Sequence, residues 1–139
     1  MIIMAIDYGD VRTGVAVCDK MEMLASPVCI IEQRNPDILI DKICGLAVQY
    51  KAEQIVVGLP KNMDSSEGER AQKCKLFADK LSEKSGIETV MRDERLSTVV
   101  AHNVLNATNT RGKKRKAVVD QVAAVMILQD YIDFRKNQR

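Results

Sequence analysis

Met1 to Ile6 carries no charged side chain, and its apolar residues fall on both faces of a strand, Ile2, Met4 and Ile6 on one and Ile3 and Ala5 on the other. A strand that is apolar on both sides has to be covered on both sides, so it belongs in the middle of a layered sheet. Asp7 ends the run. Asp7-Tyr8-Gly9-Asp10, followed by Gly14, reads as a turn, and Val15 to Cys18 returns as a second strand beside the first. A third strand is expected around Val28 to Ile31, after Pro27.

Beyond this hairpin the pattern changes to alternation. Asn35-Pro36-Asp37 combines an N-cap residue, proline at the first helical position and an early acid, and Leu39, Ile43, Leu46, Ala47 and Tyr50 follow at helical spacing. Gln54 to Val57 reads as a strand closed by Gly58-Leu59-Pro60. Ser66 and Glu69 make a capping-box pattern before the stripe Ala71, Cys74, Phe77, Ala78, Leu81. Ile87 to Met91 is a further strand, Ser97 to Leu105 a further helix, and Ala117 to Phe134 a long last one. The expectation is an α/β fold: a mixed sheet of about five strands with helices on its faces, in a single domain spanning residues 1–139.

With 46% hydrophobic and 29% charged residues the chain is neither disordered nor fibrous in composition. No stretch approaches the roughly 20 apolar residues of a membrane span, and no basic leader precedes the first apolar run, which predicts a cytoplasmic protein without membrane contact. Cys18, Cys29, Cys44 and Cys74 lack the close spacing of zinc or redox pairs and read as small core residues; the seven Met residues are read mostly as core filler. Charge is uneven. Residues 1–110 hold 13 basic and 16 acidic side chains, whereas residues 111–139 hold 8 basic and 3 acidic.

Sheets of this kind place their sites at the C-terminal ends of parallel strands, here Asp7, Gly58-Leu59-Pro60 and Asp93-Glu94. Asp7 alone could be a turn cap. Asp120 is harder to read that way, because Val118 to Leu128 is too apolar for a solvated helix surface and Ala123, Ala124 and Ile127 share its face. A carboxylate there needs compensation, by a divalent cation or by the helix macrodipole if it lies in the first turn. Acids converging on one sheet edge match the oxygen ligands that Mg²⁺ or Mn²⁺ prefers, and such ions can drive phosphodiester hydrolysis. Arg111, Lys113, Lys114, Arg115 and Lys116 form a basic run just before the last helix, placed to meet nucleic-acid backbone if it is more than a solvated loop. Aromatic residues at 4% argue against a base-stacking platform. His102, the one histidine, has no paired ligand in sequence and is given no catalytic role.

Ala5-Ile6-Asp7-Tyr8-Gly9 with Arg12 and Gly14 to Val17, then Val56 to Pro60, Met63-Asp64, Asp93 to Thr98, and Asp120 to Ala124 running into Ile127-Leu128-Gln129, together resemble the YqgF family, also called RuvX, of bacterial ribonuclease H-like proteins. The resemblance implies a ribonuclease H-like fold with three antiparallel strands followed by two parallel ones. It implies a nuclease, either one maturing the 5′ end of pre-16S ribosomal RNA or a Holliday junction resolvase. Residue by residue it carries the metal-binding acids onto Asp7, Glu94 and Asp120, with Asp93 as the rival to Glu94, and phosphate contacts onto Arg12 and Arg95. Val11 stands where relatives often carry lysine, and Gly58-Leu59-Pro60 where related resolvases place an acid.

The expected activity is therefore metal-dependent cleavage of structured nucleic acid, pre-rRNA ahead of branched DNA, with ribosomal particles as further partners and a monomer or homodimer as the unit. A factor of a different class, binding RNA in ribosome assembly without cutting it, is the rival reading.

Overall fold

The computed structural model describes residues 1–59, 68–93 and 112–137, with the backbone alone at 93 and 112–121. The expected helix over Ser97 to Leu105, along with His102, Glu94, Arg95, Arg111, Ser66 and Asp64, lies outside the described residues.

Five strands form one sheet in the order β3-β2-β1-β4-β5: β1 Ile3–Asp7, β2 Arg12–Cys18, β3 Ala25–Glu32, β4 Gln54–Leu59 and β5 Glu88–Asp93. β1 is central, as its two apolar faces require. It pairs antiparallel with β2 and parallel with β4, which pairs parallel with β5. β2 and β3 are antiparallel, with the register shifting between Val15 and Ala16. Pro27 sits opposite Ala16 on the edge strand, where its missing N–H leaves no central ladder bond unmade.

Helices α1, Pro36–Tyr50, and α2, Glu69–Ser85, pack on one face. Their Leu39, Ile43, Phe77 and Leu81 bury Met4, Ile6, Ile55 and Val57. Helix α3, Gly112–Asn137, covers the other, where Ala124, Ile127, Leu128 and Ile132 meet Ile3, Ala5, Ala16 and Val56. The alternation in β1 thus divides Met4 and Ile6 from Ile3 and Ala5, one pair to each helical layer.

α1 begins as its sequence predicts: Asn35 Oδ1 accepts from the Asp37 and Ile38 amides at 2.9 and 3.4 Å. It ends at Lys51 in the left-handed region, φ 58°. α2 departs from the expected capping box. Its N-cap is Gly68, with no side-chain hydrogen bond, and Glu69 is the first helical residue and not the third. Glycine at an N-cap costs only a few tenths of a kcal/mol relative to serine, so the box is dispensable. α3 starts five residues before the expected Ala117, since lysine and arginine are good helix formers and nothing after Gly112 breaks the run. Positions 113–116 are therefore helix and not a loop.

Cys18 and Cys74 are buried, whereas Cys29 and Cys44 are half-buried at the edge of the core, and all four are free thiols. Burial raises the thiol pKa of Cys18, Cys29 and Cys44. Met4 is buried, but Met21 and Met23 in the β2–β3 turn are 70% and 59% exposed, contrary to a filler role. No helix among the described residues is long and apolar enough to cross a membrane.

Candidate active site

Asp7 is the last residue of β1 and is half-buried. By strand alternation it lies on the face of Ile3 and Ala5, the face covered by α3. The strands on either side carry glycine at its level. Gly14 is its ladder partner on β2, and Gly58 follows Val57, the β4 partner of Ile6. Neither neighbouring strand therefore sets a side chain level with the Asp7 carboxylate, and β4 brings no acid to this place.

The turn after Asp7 is tightly drawn. The Gly9 amide donates to Thr13 Oγ1 at 3.3 Å, and Thr13 is fully buried. A Cβ at Gly9 would collide with the Arg12 carbonyl oxygen, so only glycine closes this turn. Tyr8 leaves the Asp7 face for the other helical layer, stacking on Phe77 of α2 with ring centroids 4.0 Å apart and 5° between planes. Arg70 covers the Tyr8 ring at 4.8 Å and donates to the Tyr8 carbonyl and, at 2.6 Å, to Asp10 Oδ1. Burial raises the Tyr8 pKa, with Arg70 partly opposing it. Arg70 has no signature in the sequence, because its role depends on a partner 62 residues distant.

The C-terminal part of α3 is anchored at the opposite end of the sheet. The Tyr131 hydroxyl donates to Gln54 Oε1 at 2.9 Å at the start of β4, Gln129 Oε1 accepts from the Ala25 amide at 3.0 Å, and Arg135 Nε donates to Glu22 at 2.6 Å. From there α3 runs back across β1 and β2. At about 1.5 Å per helical residue, position 120 stands about 16 Å from Tyr131 along the axis, while Asp7 stands about 13 Å from Ile3, the register partner of Gln54. Position 120 is thus about as far along α3 from Tyr131 as Asp7 is along β1 from Ile3. It lies on the stripe of Ala124, Ile127 and Tyr131 and in the third turn of the helix, which removes the first-turn explanation for an acid at that place.

Arg12 opens β2, and its Nε lies 3.4 Å from Glu32 Oε1. At 24% exposed against 69% for Glu32, the guanidinium is in an open pair that costs little to exchange for another anion. Asp93 closes β5 opposite Leu59. Its place in the strand has the parity of Met91, which packs with the α1/α2 layer, whereas Val90 packs under α3. Lys113, Lys114, Arg115 and Lys116 occupy the first turns of α3, on the side of the molecule towards which position 120 lies. Among the described residues no three His, Cys, Asp or Glu side chains come together; Glu94 and the Asp120 side chain are not among them.

A five-stranded 3-2-1-4-5 mixed sheet between helical layers, with an acid at the end of its central strand, defines a ribonuclease H-like protein. The fold is that of Thermus thermophilus RuvC, solved in complex with a Holliday junction substrate, at a TM-score of 0.62 over 99% of this chain and 96% of that one, with 11% identity. It is likewise that of the fowlpox virus Holliday junction resolvase, at a TM-score of 0.56 over 96% and 99% of the two chains, with 14% identity. Residues 1–134 match the RuvX family, described as Holliday junction resolvase, and the chain belongs to that family. A relative from Halothermothrix orenii, 45% identical over 97% of this chain and 96% of its own, is named "Putative pre-16S rRNA nuclease". One from Agathobacter rectalis with the same name is 40% identical over 100% and 99%. The family and its relatives are nucleases by name, and this chain is an enzyme of that kind.

Proposed function

We propose that the protein is a divalent-metal-dependent endonuclease acting in the cytoplasm on the 5′ leader of pre-16S rRNA. The observation that carries this reading is an acid, Asp7, at the end of the central strand on the face that α3 covers, beside two glycines, in a chain 40–45% identical to relatives with that name.

The donor set fits Mg²⁺ or Mn²⁺: Asp7, Asp120 and Glu94 offer carboxylate oxygens only, and the strands beside Asp7 carry glycine at its level, which suits the approach of substrate and water. Glu94 is preferred to Asp93 as the third acid because position 93 has the parity of the face away from α3. A divalent cation would stabilise charge on the cleaved phosphate and ease ionisation of the attacking water. Asp7, fixed at the end of a fully buried strand, holds its oxygens in place without rearrangement. Arg12 exchanges Glu32 for a substrate phosphate. Lys113 to Lys116 and, with them, Arg111 and Arg95 neutralise backbone further along the strand.

Purified protein, incubated with Mn²⁺ and in parallel with a pre-16S 5′ leader and a four-way DNA junction, tests the substrate. Cleavage of the leader alone is expected. Cleavage of the junction alone would replace rRNA maturation by the resolvase reading that the family description favours, and would require two active sites and hence a homodimer. Binding of RNA or ribosomal particles with no cleavage of either substrate would leave the assembly factor.

A further inference from the structure

A cleft of about 350 Å³ opens on the far side of Tyr8 from Asp7, between α2 and the segment that leads into α1. Lys73, Leu76, Phe77 and Lys80 line it from α2 at spacings of three, four and seven residues, a single helical stripe. Tyr8 and Arg34 face them. Arg34, Lys73 and Lys80 are exposed, and none has an ion-pair partner among the described residues. Among the described residues that line the cleft the one carboxylate, Asp10, is already paired with Arg70. Three cations without a close ion pair therefore line one cleft, in a part of the chain, residues 1–110, whose acids outnumber its bases, although Lys80 also borders a neighbouring cavity with Asp37 and Glu83. A basic lining of this kind attracts a polyanion.

We propose that this cleft is a second backbone-binding subsite, in which Arg34, Lys73 and Lys80 grip successive phosphates of the substrate strand on the α1/α2 side of the cleavage point. Tyr8 links the two places physically, because it follows Asp7 directly in the chain and its ring forms a wall of the cleft. Seven residues of helix separate Lys73 from Lys80 by about 10 Å along the axis, far enough for the two ammonium groups to meet different phosphates of one strand. Leu76, 63% exposed between the two lysines, gives the sugar edge an apolar floor. The basic start of α3 lies on the opposite helical layer. The substrate is thus held from both sides of the sheet edge, with Asp7 between.

The inference rests on the nuclease reading, and its test separates the two. Binding of a catalytically inactive Asp7→Asn protein to a pre-16S leader RNA is measured over a salt series, with and without Arg34→Gln, Lys73→Gln and Lys80→Gln together. A control set, Lys20→Gln, Lys42→Gln and Lys136→Gln, removes the same charge from exposed sites elsewhere. Removing one cation that neutralises a phosphate flattens the slope of log K against log salt by about 0.7 for a single strand, so the slope is expected to flatten by about 2 in the cleft variant and not at all in the control. An unchanged slope in the cleft variant, or an equal flattening in the control, overturns the subsite. Cleavage by the wild-type chain is scored separately: a flattened slope without cleavage keeps the cleft and removes the nuclease, and cleavage with an unchanged slope does the reverse.

Discussion

The hydroxyl of Tyr131 donates to Oε1 of Gln54 at 2.9 Å, inside the core, 77 residues apart in the chain. Gln54 is 4% exposed and its amide also donates to Glu88 Oε1 at 3.1 Å, so one buried side chain ties the last helix to two strands. The bond fixes where the C-terminal part of α3 stands along the sheet. Tyr131→Phe keeps the packing and leaves a buried carbonyl without its donor. It is expected to cost about 1 to 3 kcal/mol, read as a lower urea midpoint at unchanged m-value.

Glu22 supplies the second anchor. It is 5% exposed and accepts from Arg135 at 2.6 Å and from the amino group of Met1 at 3.1 Å. Arg135→Ala removes a cation from a buried carboxylate and is expected to destabilise by about 2 to 3 kcal/mol in chemical denaturation. Glu32→Gln, which breaks the open pair with Arg12, is expected to cost less than about 1 kcal/mol in the same assay.

Gly9 closes the turn between Asp7 and Arg12. Gly9→Ala brings a Cβ against the Arg12 carbonyl oxygen and is expected to cost about 1 to 3 kcal/mol. Because that turn orients Asp7, cleavage should fall by more than the loss of folded protein explains. Specific activity per folded molecule, by active-site-independent folding signal, checks this.

Asp19 Oδ1 accepts from the Met23 and Leu24 amides at 2.8 and 3.2 Å. Those bonds favour the carboxylate and hold its pKa below the ordinary aspartate value. The unfolded chain then binds more protons than the folded one between the two values. The resulting stability is present above the unfolded pKa, about 3.9, and is lost as pH falls through the lower folded value. Asp19→Ala should therefore differ from wild type in thermal midpoint at neutral pH and converge with it in acid, as scanning calorimetry between pH 7 and pH 2 would show.

Much of this was legible in the residues, for identifiable reasons. The two-faced apolar run of β1 demanded a central strand, and Asn35-Pro36 set the start of α1 by local hydrogen bonding alone. Asp7 became a candidate by its position at the end of that run, and Asp120 by the apolar sequence around it. What escaped depends on contacts between distant segments. Arg70 and the pairing of Tyr8 with Phe77 have no local signature, and the cleft of Arg34, Lys73 and Lys80 exists only once α2 lies against the entry to α1. Reading the basic run before Asp120 as a loop failed because charge patterning says little about backbone, whereas helix propensity, which favours Lys and Arg, decided the outcome.

The central claim is that Asp7 and Asp120 work together at one metal-dependent cleavage site. Cleavage of a pre-16S 5′ leader is measured with Mn²⁺ for the wild type, Asp7→Asn, Asp120→Asn and the double variant, with circular dichroism confirming equal folding. Each single variant is predicted to lose at least about a hundredfold in rate, and the double variant little more than either, because groups acting as one unit are not additive. Undiminished cleavage by either single variant, or wild-type cleavage that persists in excess EDTA, would contradict the account.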